Sequence, residues 1–300
     1  MIYNFIIGKC SFFIKLYFLL CLAIIFFCDN SYSAEVIKKC NYFTDIKYSN
    51  LYNLRLKHSS FQNHSLKFLV EFVKRKFSKH KSYSFLSVGP GNGNIELNIL
   101  NVAIDWMKIS LIEPNEKYFF ALNRKFGKIN NVTIIKEKYE SYLINYNYDF
   151  ILMNQIVHLL NNPVIEIKKS LNYLNNNGSL IIIIHSDHGM HYFRNKYSNQ
   201  YHVLNSTSII TGEGLSHELK DHHIAHKIYI IDCNININIC SFNNVNCSDL
   251  ISFIFLRDFK KCQQYNIIKT IRKNFLLLNN FRYGHFLLNE PMVIMSLTKA

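Results

Sequence analysis

Glycine and proline are scarce in this chain, ten and four among 300 residues. That excludes a collagen-like or Gly/Pro-rich low-complexity polymer. Charged residues make up only 18% against 49% hydrophobic, so a disordered tail is excluded and a sizeable core can form. No Cys-x-x-Cys spacing occurs, which leaves a zinc ribbon or a thioredoxin-like redox pair without support. His-Glu-x-x-His, Gly-x-Ser-x-Gly and the P-loop are missing as well. With them go the usual sequence signals for zinc hydrolysis, acyl transfer and nucleotide hydrolysis.

Acidic residues are also in short supply: 20 Asp and Glu face 34 Lys and Arg, a formal net charge of +14. Such an excess suits nucleic acid, an anionic membrane or a negatively charged substrate. The chain is also rich in Ile, Lys, Asn, Tyr and Phe, the residues an AT-rich coding sequence favours, and that bias accounts for the same excess without any ligand.

Residues 1–33 read as a targeting segment. Lys9 and Lys15 precede an uninterrupted apolar run over 16–28, Asp29 ends it, and Ser31 and Ser33 offer small residues for a cleavage site. This is the order of a secretory signal peptide. The run is short for a span needing about 20 residues, although the apolar residues 12–14 lengthen it toward an uncleaved anchor. A cleaved signal implies an exported protein and an anchor a membrane-anchored one with its domain in the cytosol; a buried helix of the fold is the third alternative. Beyond the leader, Cys233, Cys240 and Cys247 recur every seven residues, a spacing open to a disulfide or to unpaired small hydrophobes.

From residue 50 to 300 the pattern is that of one domain, without an internal repeat or a dividing linker. Leu66, Leu69, Val70, Val73 and Phe77 follow the helical i, i+3, i+4 spacing. Strands are expected over 83–88, 108–113, 132–135, 149–153 and 180–184, with helices over 95–104, 116–126 and 163–174. Residues 175–178 suit a helix exit. A helix over 213–222, a strand over 224–231 and a helix over 248–261 follow, then a final edge strand over 291–297. Strands alternating with helices imply βαβ units and a parallel sheet.

The most informative segment is Val88-Gly89-Pro90-Gly91-Asn92-Gly93-Asn94-Ile95-Glu96, a strand running through a glycine turn into a helix. A dinucleotide fingerprint would need its third glycine at position 94, which is Asn94. Glu113 lies 20 residues beyond Gly93, at the end of the next strand. A carboxylate there can accept both hydrogens of a ribose diol.

Gly-x-Gly-x-Gly followed by that acid resembles the class I S-adenosylmethionine-dependent methyltransferases. The resemblance implies a doubly wound, Rossmann-like α/β fold with a mostly parallel seven-stranded sheet, and S-adenosylmethionine as cofactor. From about residue 52 onward the chain is also similar to the histamine N-methyltransferase family. The residues that carry this are Leu86-Ser87-Val88-Gly89 with Ile95-Glu96-Leu97, Glu113-Pro114-Asn115, Tyr148-Asp149-Phe150-Ile151 with Gln155, and Leu287-Leu288-Asn289. By that resemblance Gly89 and Gly91, with Pro90 and Gly93 completing the turn, would face the cofactor's methionine moiety. Glu113 would face its ribose, and Ser141, Tyr118 and Asn154 its adenine side.

On the substrate side the resemblance implies Ser65 or a neighbour where the family has an acid, His158 in place of an aromatic wall, and Glu290 opposite an ammonium. A small amine is the implied acceptor, and the protein is expected to act as a monomer. An amine nucleophile must be unprotonated, so His158 is a candidate proton acceptor near pH 7; the alternative is a packed residue at the edge of the site. Rival readings are a nucleic-acid methyltransferase of the same fold, and a secreted binding protein that kept the fold without catalysis. His185 and His188 have a metal-ligand spacing, but no further ligand pattern joins them, and no metal is expected.

Overall fold

An aliphatic run without polar interruption suits a strand covered on both faces. The computed structural model describes residues 45–77, 81–103, 105–200, 210–240, 245–255, 269, 272–273, 280–282 and 285–299. In it Leu180, Ile181, Ile182, Ile183 and Ile184 are all buried, in the middle of strand β5 (Leu174–His185). β5 runs parallel to β4 (Tyr148–Asn154) and antiparallel to β10 (Met292–Thr298). With β1 (Tyr83–Val88), β2 (Met107–Ile112), β3 (Val132–Ile135) and β6 (Lys227–Ile231) they form one seven-stranded sheet in the order β3-β2-β1-β4-β5-β10-β6. β10 runs against both of its neighbours, whereas the pairs among β1 to β5 are parallel.

Successive strand residues point to opposite faces, and two cores result. Phe85, Ile109, Leu111, Phe150, Leu152, Ile181 and Ile183 pack with Leu69 and Val73, Ile99 and Leu100, and Leu122 and Phe126 on one face. Leu86, Val88, Ile112, Ile151, Met153, Ile182 and Ile184 pack with Ile167, Leu215 and Leu219 on the other. The helices concerned are Phe61–Lys76, Asn94–Ala103 and Glu116–Phe126 on the first face, and Pro163–Asn172 and Gly212–Asp221 on the second. The expected doubly wound α/β architecture is therefore present.

Details differ from expectation. The last strand is interior: it pairs with β5 and with β6, and β6 forms the edge. Pro291 precedes the strand, so its missing N–H removes no ladder bond, and it carries no edge signal. Residues 175–178 belong to β5, where the pairing with β4 shifts between Tyr148 and Phe150 and Asn177 takes a positive φ of 65°. The histidine-rich stretch after β5 runs into a helix, Met190–Gln200. The basic segment before β1 forms two helices, Asp45–His58 and Phe61–Lys76. They break where the Ser59 hydroxyl accepts from Phe61 N and Ser60 N donates to Asn234 O.

A second, three-stranded sheet joins β7 (Asn234–Asn236), β9 (His285–Asn289) and β8 (Asn280–Arg282). Beside it Cys240 and Cys247 form a disulfide, while Cys233 is free and buried. The expected leader, residues 1–33, lies outside the described residues. No helix among the described residues is long and apolar enough to cross a membrane.

Candidate functional site

The strand order reverses beside β1, whose last residue Val88 is level with Met153 of β4. In open α/β sheets ligands sit at such a reversal, beyond the carboxyl ends of the strands. A cavity of about 520 Å³ opens here. Its floor is the turn Gly89, Pro90, Gly91, Asn92 with Asn94, Ile95 and Glu96; one wall is Glu113, Pro114, Asn115 and Tyr118; the other is Asn154, Gln155, Ile156 and Leu159. Tyr52, Asn53, Leu56, Phe61 and Gln62 close it from the two amino-terminal helices.

The glycine turn has a mechanical reason at each of its three glycines, all with positive φ. A Cβ at Gly89 would lie 2.7 Å from Ile156 Cδ1, and one at Gly93 would lie 2.6 Å from both Leu122 and Phe126. Gly93 thus lets the following helix pack against its neighbour and does not line the cavity. At Gly91 a Cβ would meet nothing within 4 Å, so bare backbone faces open space.

Glu113 holds this turn in shape. Its Oε2 accepts from Gly91 N at 3.0 Å and its Oε1 from Asn115 N at 2.9 Å. Each carboxylate oxygen keeps a second lone pair, so capacity for a diol remains. Burial raises the carboxyl above its ordinary pKa, and the two backbone donors oppose that rise. Asn115 caps the next helix by accepting from Tyr118 N at 3.3 Å, which sets Tyr118 on the wall.

Three buried acceptor atoms of cavity-lining residues have no hydrogen-bond partner: Glu96 Oε2, Asn154 Oδ1 and Gln155 Oε1. Orphaned buried polar atoms are costly, and a ligand carrying N–H or ammonium donors would satisfy them. Gln155 also has φ of 57°, a conformation non-glycine residues keep chiefly where surroundings impose it. Sequence reasoning named Glu96 and Gln155 only as part of a resemblance. The signal for Glu96 was an acid in the first helical turn after a strand that ends without one.

Six of the expected cofactor contacts, Gly89, Pro90, Gly91, Glu113, Tyr118 and Asn154, line this one cavity. Ser141 is exposed in the turn after β3 and is not among the lining residues. The residues expected on the substrate side lie off the cavity lining. Glu290, expected opposite an ammonium, is 1% exposed and takes Arg55 Nε at 2.6 Å and the Ser59 hydroxyl at 2.5 Å. Its charge is met inside the protein. Ser65 is buried in its helix, facing neither solvent nor the cavity lining. His158 sits in the short turn Val157–Leu159, off the lining. Burial, with Arg194 and Arg55 adding positive charge, pushes its imidazole down to about 4. It is neutral at pH 7 but a weak proton acceptor there, because its basicity lies far below that pH.

Of the expected metal pair His185 and His188, only His188 falls in a group of three potential ligands. The one group of potential ligands among the described residues is Asp187, His188 and Glu213. Glu213 is already engaged there, with Ser186 Oγ at 2.6 Å and Asp187 N at 2.8 Å.

No family model and no curated protein matches the chain. Solved structures do. The YcgJ protein of Bacillus subtilis is similar at a TM-score of 0.52 and 12% identity, covering 79% of this chain and 99% of its own. The "putative methyltransferase" of Bacillus halodurans C-125 is similar at a TM-score of 0.51 and 12% identity, covering 77% and 98%. The plantazolicin methyltransferase BpumL, solved in complex with SAH, has a TM-score of 0.49 at 15% identity, covering 90% and 96%. None of these points to the histamine N-methyltransferase family. At such identities the likeness is one of fold alone, the Rossmann-like α/β fold with a mostly parallel seven-stranded sheet.

Proposed function

We propose that this chain is an S-adenosylmethionine-dependent methyltransferase acting on a small acceptor. The observation that carries the reading is the cavity at the strand-order reversal, where an open glycine turn, a carboxylate in diol-binding position and three unpartnered acceptors meet. These residues fit the cofactor by chemistry. The turn at Gly91 admits a group against backbone, Glu113 suits the ribose hydroxyls, and Glu96, Asn154 and Gln155 suit amino and ammonium donors. Tyr118 offers a ring face at the remaining wall.

S-adenosylmethionine bound there supplies a methyl group on a sulfonium centre. The chain's own part is orientation and exclusion of water. Gly89, Gly91 and Glu113 fix one partner, while Tyr52, Leu56, Phe61 and Leu159 form an apolar and aromatic wall for the other. Asn53, Gln62 and the Tyr52 hydroxyl are the polar groups on that side, and none of them is a carboxylate. A wall without a carboxylate suits a neutral nucleophile, so an amine acceptor would enter unprotonated. We include the small amine in the proposal on the strength of the sequence resemblance, with Glu290 removed from its recognition. The Cys240–Cys247 disulfide supports passage through an oxidising compartment, as the exported alternative for the leader requires.

The test is transfer of an isotopically labelled methyl group from S-adenosylmethionine to a panel of small amines, phenols and carboxylic acids. Labelled product from any of these supports the enzyme. Labelled product from phenols or acids alone removes the amine. A folded chain that labels nothing while binding the cofactor overturns the catalytic reading and favours the binding protein.

A further inference from the structure

Glu96 is a carboxylic acid buried to 2% exposure in the lining of the cavity. Its Oε1 accepts from the Ser87 hydroxyl at 2.7 Å, and its Oε2 has no partner. Two charged groups act on it among the described residues. Lys125, on the helix Glu116–Phe126, contributes positive charge, and Glu113, after β2, contributes negative charge. The Lys125 ammonium donates to Asn92 O and Asn94 Oδ1, at 2.5 and 2.6 Å. Oε2 therefore remains the unpartnered side of a buried acid whose residue lines the cavity, together with two further residues that carry unpartnered acceptors, Asn154 Oδ1 and Gln155 Oε1.

We propose that Glu96 takes the ammonium of the amino-acid part of the cofactor and of its demethylated product, so that both bind with release of a proton from this carboxyl group. The inference rests on the methyltransferase reading and deepens it. An ammonium is the ligand chemistry that answers an unpartnered carboxylate oxygen in a buried site, because it supplies both the charge and the N–H donors. Burial pushes the Glu96 carboxyl up to about 7, against the Ser87 hydrogen bond and the Lys125 charge. In the ligand-free protein it is then half protonated near neutral pH, and only the ionised half is ready for a cation. Below that pH each unit of acidity lowers the ready fraction about tenfold.

The experiment is calorimetric titration of the full chain with S-adenosylhomocysteine and, separately, with 5′-methylthioadenosine. The second compound keeps the adenosine and lacks the ammonium, so contacts to Glu113 are common to both. The wild-type chain should bind S-adenosylhomocysteine about tenfold more weakly at pH 6 than at pH 7.5, and a change of buffer ionisation heat should reveal the released proton at pH 6.5. Methylthioadenosine should lack that component. Glu96→Gln keeps the size of the side chain and an acceptor for Ser87. It should lose tenfold or more in affinity for S-adenosylhomocysteine at pH 7.5, lose the proton release, and bind methylthioadenosine as the wild type does.

Ser87→Ala serves as a second variant: removing the hydroxyl donor should move the midpoint of the pH dependence upward. Equal loss of both ligands in Glu96→Gln, or unchanged pH dependence, overturns the inference and leaves the methyltransferase reading standing. Binding of neither compound by the folded wild-type chain overturns both.

Discussion

At the residue scale, Glu96 and the glycines show how the site is held at a cost to the fold. A buried acid with a raised pKa stabilises the folded state fully below its unfolded value near 4.5, and that contribution is lost as pH rises through about 7. Glu96→Gln carries no such penalty. In the absence of ligand it should match the wild type near pH 4.5 and exceed it at pH 8 by up to about 3 kcal/mol, at roughly 1.4 kcal/mol for each pH unit separating the folded and unfolded pKa values. Urea unfolding at the two pH values measures the difference; a gap that fails to widen with pH contradicts the account. The glycines should rank by space. Gly91→Ala has room and loses only the backbone preference, about 1–2 kcal/mol. Gly93→Ala adds a clash with Leu122 and Phe126 and should lower the melting temperature further. Motif spacing made this turn and Glu113 legible in the sequence. The reason for Gly93 was not legible, because its neighbours come from a helix that only the fold brings near.

At the element scale, the buried pair of Arg55 and Glu290 ties the helix Asp45–His58 to the loop before β10. The residues are 235 positions apart, so nothing local in the sequence shows the pairing, and the expectation of Glu290 on the substrate side rests on resemblance alone. Removing one partner strands a buried charge, so Glu290→Ala should destabilise by about 3–5 kcal/mol, whereas replacing both by Met should recover most of the loss. Chemical unfolding of the two single variants and the double variant checks this. A fully additive double variant would mean that the two side chains are not coupled. The strands and helices themselves were largely legible, because aliphatic runs and helical spacing are local signals. The exceptions have local causes too. Asn175 to Gly178 read as a helix exit because their turn chemistry also fits a strand that shifts register, and Pro291 read as an edge marker although it stands one residue before the ladder.

For the whole molecule, protonation ties the site to stability. Burial and neighbouring arginines lower His158 and His191 to about 4 and His185 well below its ordinary value. Groups with depressed folded pKa values contribute stability that is present above the unfolded value near 6.5 and lost as pH falls toward 4. Glu96 and Glu113 act with the opposite sign over the interval above 4.5. Burial and Lys57 lower His58 in the same sense, so below pH 6.5 four histidines act against two acids and the ligand-free chain should be most stable near that pH. A thermal unfolding series across pH 4.5 to 8.5 reads the optimum directly, and an optimum at either end would contradict the burial of these groups. The parallel part of the sheet was legible in the βαβ alternation, whereas its strand order and the cavity at the reversal emerge only in the fold. The acceptor side was not legible either, since its wall comes from two helices ahead of β1 whose amphipathic pattern says nothing of what they face.

The central claim is that the cavity between the glycine turn and Glu113 holds S-adenosylmethionine. Its most direct test is calorimetric titration of the full chain with S-adenosylmethionine beside a Glu113→Ala variant whose folding is checked by circular dichroism. Micromolar binding by the wild type, lost in the folded variant, is the expected result. No binding by a folded wild-type chain, or equal binding by both proteins, would contradict the account.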